Sequence, residues 1–187
     1  MPLSEIRAPI RPVPRYYPDR PLPPYRFVPG LHPHPTHDPA GHSYAGGARR
    51  VRHAAWDPAA WRALSGWLAG VDRFNAFYFW EAHESWEELW AVKPRESVPA
   101  RLLQGLIQIA AALLKIHLES PLGAAALSHD GLDKLSQSAA ATPFLLGLDL
   151  RETTSTFHHY FRPLAERTLP PLDASVPLLR LTEACHA

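Results

Sequence analysis

The chain has 187 residues, of which 46% are hydrophobic and 20% charged, so it suits one domain with a sizeable core and excludes wholesale disorder. Its net charge of +1, with histidine neutral, argues against a nucleic-acid or membrane-surface binder that relies on charge alone. The single cysteine, Cys185, excludes an internal disulfide framework and a multi-cysteine zinc module. The charge-free apolar stretch of residues 102–114 is too short to cross a bilayer, and no apolar run precedes the N-terminal prolines. We therefore expect a cytoplasmic protein without membrane partners.

Residues 1–54 are rich in proline and arginine. Twelve of the 21 prolines lie in residues 1–39, and residues 1–52 carry eight arginines against three acidic residues. Proline at this density disfavours helices and sheet ladders and favours extended chain. Aromatic residues are interleaved with the prolines, which is unusual for a disordered tail. We predict an extended arm whose second half packs along the domain, with about the first 20 residues mobile.

Helical signals begin at the end of this arm. Asp57 followed by Pro58 is typical of a helix N-terminus, and we expect that short helix to end at Gly70. Asp72 is then placed to cap a second helix that runs to about Val92. These signals open a predicted helical domain of residues 55–168.

Three further helices are predicted after a proline-containing break. The third covers about 97–118 and the fourth about 120–142. Asp149, with Glu152 three residues later, forms a capping box that starts the last helix, and Pro163 should kink or end it.

Residues 169–187 form an apolar, proline-broken tail that we expect to lie against the domain. Gly123 and Gly131 are expected to loosen the fourth helix. The sequence has no alternating β-branched run and no Asn-Gly or Asp-Gly hairpin between such runs. The predicted fold class is therefore all-α, a single irregular helical bundle with an extended proline-rich N-terminal arm.

Polar residues interrupt the apolar faces of the second and third helices. His83 and Glu87 lie one turn apart at the edge of an apolar face, and Gln104 and Gln108 share a narrow strip of the third helix. A buried polar group left unpaired costs about 1–3 kcal/mol, so we expect these groups to face one another. The result is a polar seam or small cleft, with candidate ligand-binding residues His83, Glu84, Glu87, Gln104 and Gln108. A seam that only fixes helix register is the more common alternative.

A second polar row, Glu81, Glu84 and Glu88, points away from that seam. The arginines of the arm are suited to neutralise it if the arm wraps the domain. The same arginines, mixed with proline and aromatic residues, could instead bind a protein partner or single-stranded nucleic acid. We favour the wrapped arm, and a nucleic-acid partner is not expected.

Two strings resemble a known family. FNAFYFWEAHESWEELW (residues 74–90), followed by RLLQGLIQIAAALLK (residues 101–115), is similar to the domain-of-unknown-function family 309. The resemblance covers about residues 70–135, and residues 22–44 resemble the arm found in front of this domain in some members. It implies a small all-helical domain and no activity. The motif positions are Asn75, Glu81, His83, Glu84, Trp86, Glu87, Trp90, Gln104 and Gln108.

The spacing His83-Glu84-x-x-Glu87 is close to the H-E-x-x-H zinc signature, with a glutamate in place of the second histidine. His83 and Glu87 could supply two metal ligands, while an ion pair between them is the simpler alternative. A third ligand would have to come from one of five histidines: His32, His34, His37, His42 or His117.

Two functional hypotheses follow from these patterns. The leading one is a non-enzymatic binding or assembly module for an unidentified small ligand or protein partner, able to form a homo-oligomer and requiring no cofactor. The alternative is a metal-dependent or acid–base hydrolase-like enzyme that uses His83, Glu84 and Glu87 with a divalent metal.

Overall fold

The computed structural model describes residues 3–45 and 55–182, so part of the predicted arm and the tail end with Cys185 lie outside the described residues. The described elements are, in chain order, a 3₁₀ helix (Pro58–Ala63), α1 (Ser65–Asn75), α2 (Phe79–Trp90), α3 (Val98–His117), α4 (Pro121–Ala141), β1 (Phe144–Leu145), β2 (Leu148–Asp149), α5 (Leu150–Phe161) and a second 3₁₀ helix (Arg162–Glu166). The chain is mainly helical, which confirms the predicted fold class.

The structure adds one short hairpin that the sequence analysis did not predict. Strands β1 and β2 pair antiparallel between α4 and α5. The turn that joins them contains Leu146 and Gly147 rather than an Asn-Gly or Asp-Gly pair. Each strand has only two residues, too few to show the alternation that marks a strand in sequence. The helix N-cap that follows is confirmed at Asp149, which accepts hydrogen bonds from the backbone N–H groups of Arg151 and Glu152, both at 3.0 Å.

Helix α3 forms the centre of the core. It packs between α2 and α4, and 11 of its 20 residues are buried. By length and composition alone it could also cross a membrane, but 56% of that stretch is buried inside the protein. A core helix enclosed by neighbouring helices accounts for this apolar composition.

Two glycines have roles different from those predicted. Gly70 lies in the middle of α1 rather than at a helix end, because its missing side chain makes room for the Trp86 indole. Gly131 does not loosen α4. A Cβ atom there would lie 3.0 Å from the Gly105 carbonyl oxygen of α3, so these two glycines allow the two helix backbones to approach closely.

Asp72 also differs from its predicted role as a cap. It lies within α1 and is 1% exposed. Its carboxylate accepts hydrogen bonds from the backbone N–H of Tyr16 at 2.7 Å and of Tyr17 at 2.9 Å, and from Arg15 Nε at 3.0 Å. Asp72 therefore anchors the arm to α1. The arm is packed even before residue 20, where the sequence predicts mobile chain, and Ile6 reaches the core at 3% exposure.

Residues 169–182 also lie against the domain. Asn75 of α1 both donates to and accepts from the backbone of Leu179, at 2.9 and 2.8 Å. The backbone N–H of Leu181 donates to the Tyr16 hydroxyl at 2.9 Å, which links the tail to the arm. Helix α1 thus holds both terminal segments through two buried polar side chains, Asp72 and Asn75.

Tyr160 makes the stability of the tail contact dependent on pH. Its hydroxyl donates to the Pro171 carbonyl at 2.8 Å, and burial, with a smaller contribution from Asp173, raises the pKa of Tyr160. The folded protein favours the neutral phenol. The contribution of Tyr160 to the free energy of unfolding is therefore present below the unfolded pKa of about 10 and is lost as the pH rises above it. We expect the free energy of unfolding, measured in urea between pH 8 and 11, to fall more steeply for the parent than for Tyr160→Phe. Equal slopes would contradict this assignment.

Candidate functional site

One candidate cluster lies on α2. His83 Nε2 is 3.3 Å from Glu87 Oε1, one turn further along, and His83 Nδ1 is 3.7 Å from Glu84 Oε1. Each of the three residues offers one possible metal-ligand atom, and these atoms lie within 4.8 Å of one another. The side chains are partly exposed, at 24% for His83, 20% for Glu84 and 42% for Glu87. Helical spacing alone brings these three predicted residues together.

The two carboxylates face different nitrogens of the His83 ring. A distance of 3.7 Å is too long for a hydrogen bond, and His83 Nδ1 is buried without a hydrogen-bond partner. A histidine binds a given metal ion through one nitrogen, so Glu87 is the carboxylate nearer to an ion held at Nε2 and Glu84 is the one nearer to Nδ1. His83 and Glu87 are therefore the closer ligand pair, and Glu84 lies beside the other ring nitrogen.

The other predicted members of the seam are less closely connected. Gln104 and Gln108 are half-buried on α3, and Gln108 Oε1 has no hydrogen-bond partner. Within the described parts of the chain, no hydrogen bond joins either glutamine to His83, Glu84 or Glu87. The five candidate residues therefore do not form one hydrogen-bonded network.

The five histidines considered as a third metal ligand do not join this cluster among the described residues. They have other partners: His42 contacts Glu81, His34 and His37 contact each other, His32 stacks on Tyr25, and His117 lies 2.7 Å from the Ser4 carbonyl oxygen. The arm packs beside Glu81, on a different side of α2, so its histidines do not reach the His83 cluster.

A second polar site is a cleft of about 240 Å³ between the arm, α1 and α2. Three glutamates of α2, Glu81, Glu84 and Glu88, lie along one side. Arg20 of the arm and Arg73 of α1 also line it. Arginines of the arm are expected beside this acidic row, and Arg20 lies there. The site thus has groups of both charges within a small volume.

Glu81 is the buried acidic group of this cleft. Its side chain is 3% exposed, and Oε1 accepts hydrogen bonds from the Phe27 backbone N–H at 2.9 Å and from His42 Nε2 at 3.1 Å. Its other oxygen, Oε2, is buried with no hydrogen-bond partner. Leaving a buried charged oxygen unpaired is costly, so this atom needs an explanation.

Arg73 is the central basic group. It donates to the Ser85 hydroxyl, and Ser85 donates in turn to the Glu81 backbone carbonyl at 2.6 Å. Burial lowers the pKa of Arg73, the positive charge of Arg20 lowers it further, and Glu81 and Glu88 act in the opposite direction. The positive charge of Arg20 thus acts on Arg73 across the cleft, which favours an anionic group between the two guanidinium groups.

Sequence reasoning did not identify Glu81, Arg73 or His42 as parts of one site. Glu81 is a motif position, but the α2 pattern places it on the outward row. The segment that buries it lies 54 residues earlier in the chain, at Phe27. The density of histidine and aromatic residues in residues 22–44 was the available signal that this part of the arm covers a polar surface.

The comparison with known families matches the central part of the chain. The model of the family described as Domain of unknown function (DUF309) matches residues 67–127, from α1 to the first turns of α4. None of the curated proteins matches the chain. The matched segment contains the His83 cluster, Gln104, Gln108 and the α2 side of the cleft, whereas the arm lies outside it. Residues 67–127, about a third of the chain, are therefore similar to the DUF309 family of domains of unknown function, a similarity that assigns no activity.

Proposed function

We propose that the protein is a non-enzymatic binding module whose cleft between the arm, α1 and α2 holds a compact ligand with both a cationic and an anionic group. The observation that carries the proposal is the buried Glu81 carboxylate, one oxygen of which has no hydrogen-bond partner although the residue lines a cleft. Buried carboxylates in folded proteins are normally paired on both oxygens or contact a cation.

An ammonium group is suited to this oxygen. It carries several N–H donors and a full positive charge, and a charge-assisted hydrogen bond to a buried carboxylate is about twice as strong as a neutral one. His42 and Phe27 already occupy the other Glu81 oxygen, so that the carboxylate is held in place before the ligand arrives. Such preorganisation reduces the entropy lost on binding.

The anionic end of the ligand would lie towards Arg73 and Arg20. Guanidinium groups present several donors in a fixed plane that suits carboxylates. Trp80 and Pro23, which also line the cleft, supply apolar contact surface. Since drug-sized ligands occupy pockets of roughly 300 Å³ and more, a cleft of about 240 Å³ suits a smaller molecule, the size of an α-amino acid.

Ser85 supports binding rather than nucleophilic catalysis in this cleft. Its hydroxyl proton is donated to the helix backbone and its oxygen accepts from Arg73. A serine nucleophile needs a neighbouring base that removes its proton, and Arg73 is a donor, not a base.

The alternative function is a metal-dependent or acid–base hydrolase-like enzyme. It depends on His83, Glu84 and Glu87, whose possible ligand atoms lie within 4.8 Å of one another. It requires turnover that His83→Ala abolishes, whereas the binding module requires ligand uptake without turnover.

The test is a calorimetric titration of the full chain with each of the twenty common α-amino acids. We expect at least one to bind, and Glu81→Gln to weaken that binding at least about tenfold, because it removes the charge that faces the ammonium group. Glu81→Gln keeps an acceptor for the Phe27 N–H, so the arm should stay in place.

Glu166→Gln, an exposed glutamate in the second 3₁₀ helix, is the matched control and should bind like the parent. The melting temperature of each variant reports whether the arm contact survived. Equal affinity of Glu81→Gln and the parent, or no binding of any amino acid, would contradict the proposal.

A further inference from the structure

We propose that His83 and Glu87 form a chelating pair for a divalent transition-metal ion, with Glu84 positioning the His83 ring through its other nitrogen. The pair lies on one face of α2 and its side chains are 24% and 42% exposed, so an ion reaches it from solvent. The inference does not depend on the amino-acid cleft, because its test uses the metal alone.

The distance between the two ligand atoms fits one shared ion. His83 Nε2 and Glu87 Oε1 are 3.3 Å apart. In a tetrahedral site with zinc–nitrogen and zinc–oxygen bonds of about 2.0–2.2 Å, adjacent ligand atoms lie about 3.4 Å apart. The side chains therefore already have the separation that chelation requires, and no change of helix geometry is needed.

The second carboxylate suits the role of a positioning group. A histidine that binds metal through Nε2 carries its proton on Nδ1, and that N–H usually donates to a carboxylate. His83 Nδ1 is buried without a hydrogen-bond partner, and Glu84 Oε1 is 3.7 Å from it. A side-chain shift of about 1 Å would bring these atoms to hydrogen-bond distance. The arrangement is thus a carboxylate, histidine and metal in series.

The ligand types narrow the choice of ion. One imidazole nitrogen and one carboxylate oxygen favour Zn²⁺, Ni²⁺ or Cu²⁺ over the oxygen-preferring Mg²⁺ and Ca²⁺. The protein supplies two ligands, and the remaining positions are open to water or to a ligand. Glu84 also lines the cleft around Glu81, so the ion would lie beside that cleft.

A proton is the competing occupant. An imidazolium ion between Glu84 and Glu87 would use the same geometry without any metal. Two measurements distinguish a bound metal ion from a bound proton. One is a metal titration, and the other is which ring nitrogen of His83 carries a proton when metal is present.

The experiment is a Zn²⁺ titration by calorimetry of the full, untagged chain at pH 7.5, with the histidine ring nitrogens followed by ¹⁵N NMR. We expect one ion to bind, the His83 Nε2 resonance to shift and Nδ1 to keep its proton. His83→Ala should abolish Zn²⁺ binding. Glu87→Gln and Glu84→Gln should each weaken the Zn²⁺ affinity at least about tenfold.

Two controls separate this pair from the other histidines. His159→Ala removes an exposed histidine of α5 and should leave the titration unchanged. Among the described residues, His34 and His37 form another close histidine pair, with their Nδ1 atoms 3.1 Å apart. His34→Ala removes this pair and should still bind Zn²⁺ at His83. No Zn²⁺ binding by the parent, binding that survives in His83→Ala, or binding lost in His34→Ala instead would overturn the proposal.

Discussion

Replacing Asp72 with alanine is expected to detach the first part of the arm and to lower the free energy of unfolding by about 3 kcal/mol. The carboxylate is 1% exposed and accepts from the backbone N–H groups of Tyr16 and Tyr17 as well as from Arg15. A buried donor that loses its acceptor costs about 1–3 kcal/mol, and two backbone donors and one charged donor lose theirs together. The hydrogen bonds are not additive, so the expected total is below their sum.

Urea unfolding and limited trypsin digestion measure this effect. Arg15, which is followed by Tyr16 and not by proline, is a trypsin site in the affected segment, and we expect trypsin to cleave there sooner in Asp72→Ala than in the parent. Asp133→Ala is the matched control, since Asp133 is an exposed aspartate within a helix, and its free energy of unfolding should change by no more than roughly 0.5 kcal/mol. Unchanged cleavage and unchanged stability in Asp72→Ala would show that the arm is held by other contacts.

Replacing Gly70 with alanine is expected to destabilise the protein by about 2 kcal/mol, although the same change in an exposed helix stabilises by up to about 1 kcal/mol. A Cβ atom at Gly70 would overlap the Trp86 indole. That ring cannot move easily, because it is 0% exposed and packs on Trp67 and Phe74 with ring centroids 5.9 and 5.8 Å away. Overpacking of this kind costs about 1–3 kcal/mol or more, which outweighs the gain in helix propensity.

A second glycine of the same helix provides the control. A Cβ atom at Gly66 would lie 3.7 Å from the Leu89 side chain, an ordinary van der Waals contact, so Gly66→Ala should be neutral or stabilising. In a Trp86→Phe background the smaller ring leaves space, and Gly70→Ala should lose most of its cost. The free energies of unfolding of the parent, Gly70→Ala, Trp86→Phe and the double variant give the coupling energy. Equal effects of Gly66→Ala and Gly70→Ala would contradict the packing seen around Trp86.

The sequence by itself determined the helical class, the approximate helices from residue 97 onward and the helix N-cap at Asp149. It also determined that His83, Glu84 and Glu87 would be neighbours. These features depend on interactions between residues only a few positions apart, so the 3.6-residue period and capping chemistry are enough to reveal them. The motif residues from Glu81 to Gln108 belong to the same local level, because they lie within the two consecutive helices α2 and α3.

Only the tertiary structure decided which polar groups are buried and what surrounds them. Asp72 reads as a helix cap in sequence, yet its partners lie 55 to 57 residues earlier. Asn75 pairs with Leu179, 104 residues later, and Glu81 is buried by Phe27 and His42 of the arm. Gly70 lies within a helix because of the space that Trp86 requires. Hydrogen bonding and steric fit between distant segments have no periodic signature in the sequence, so the cleft around Glu81 emerges only when the arm and the helices are placed together.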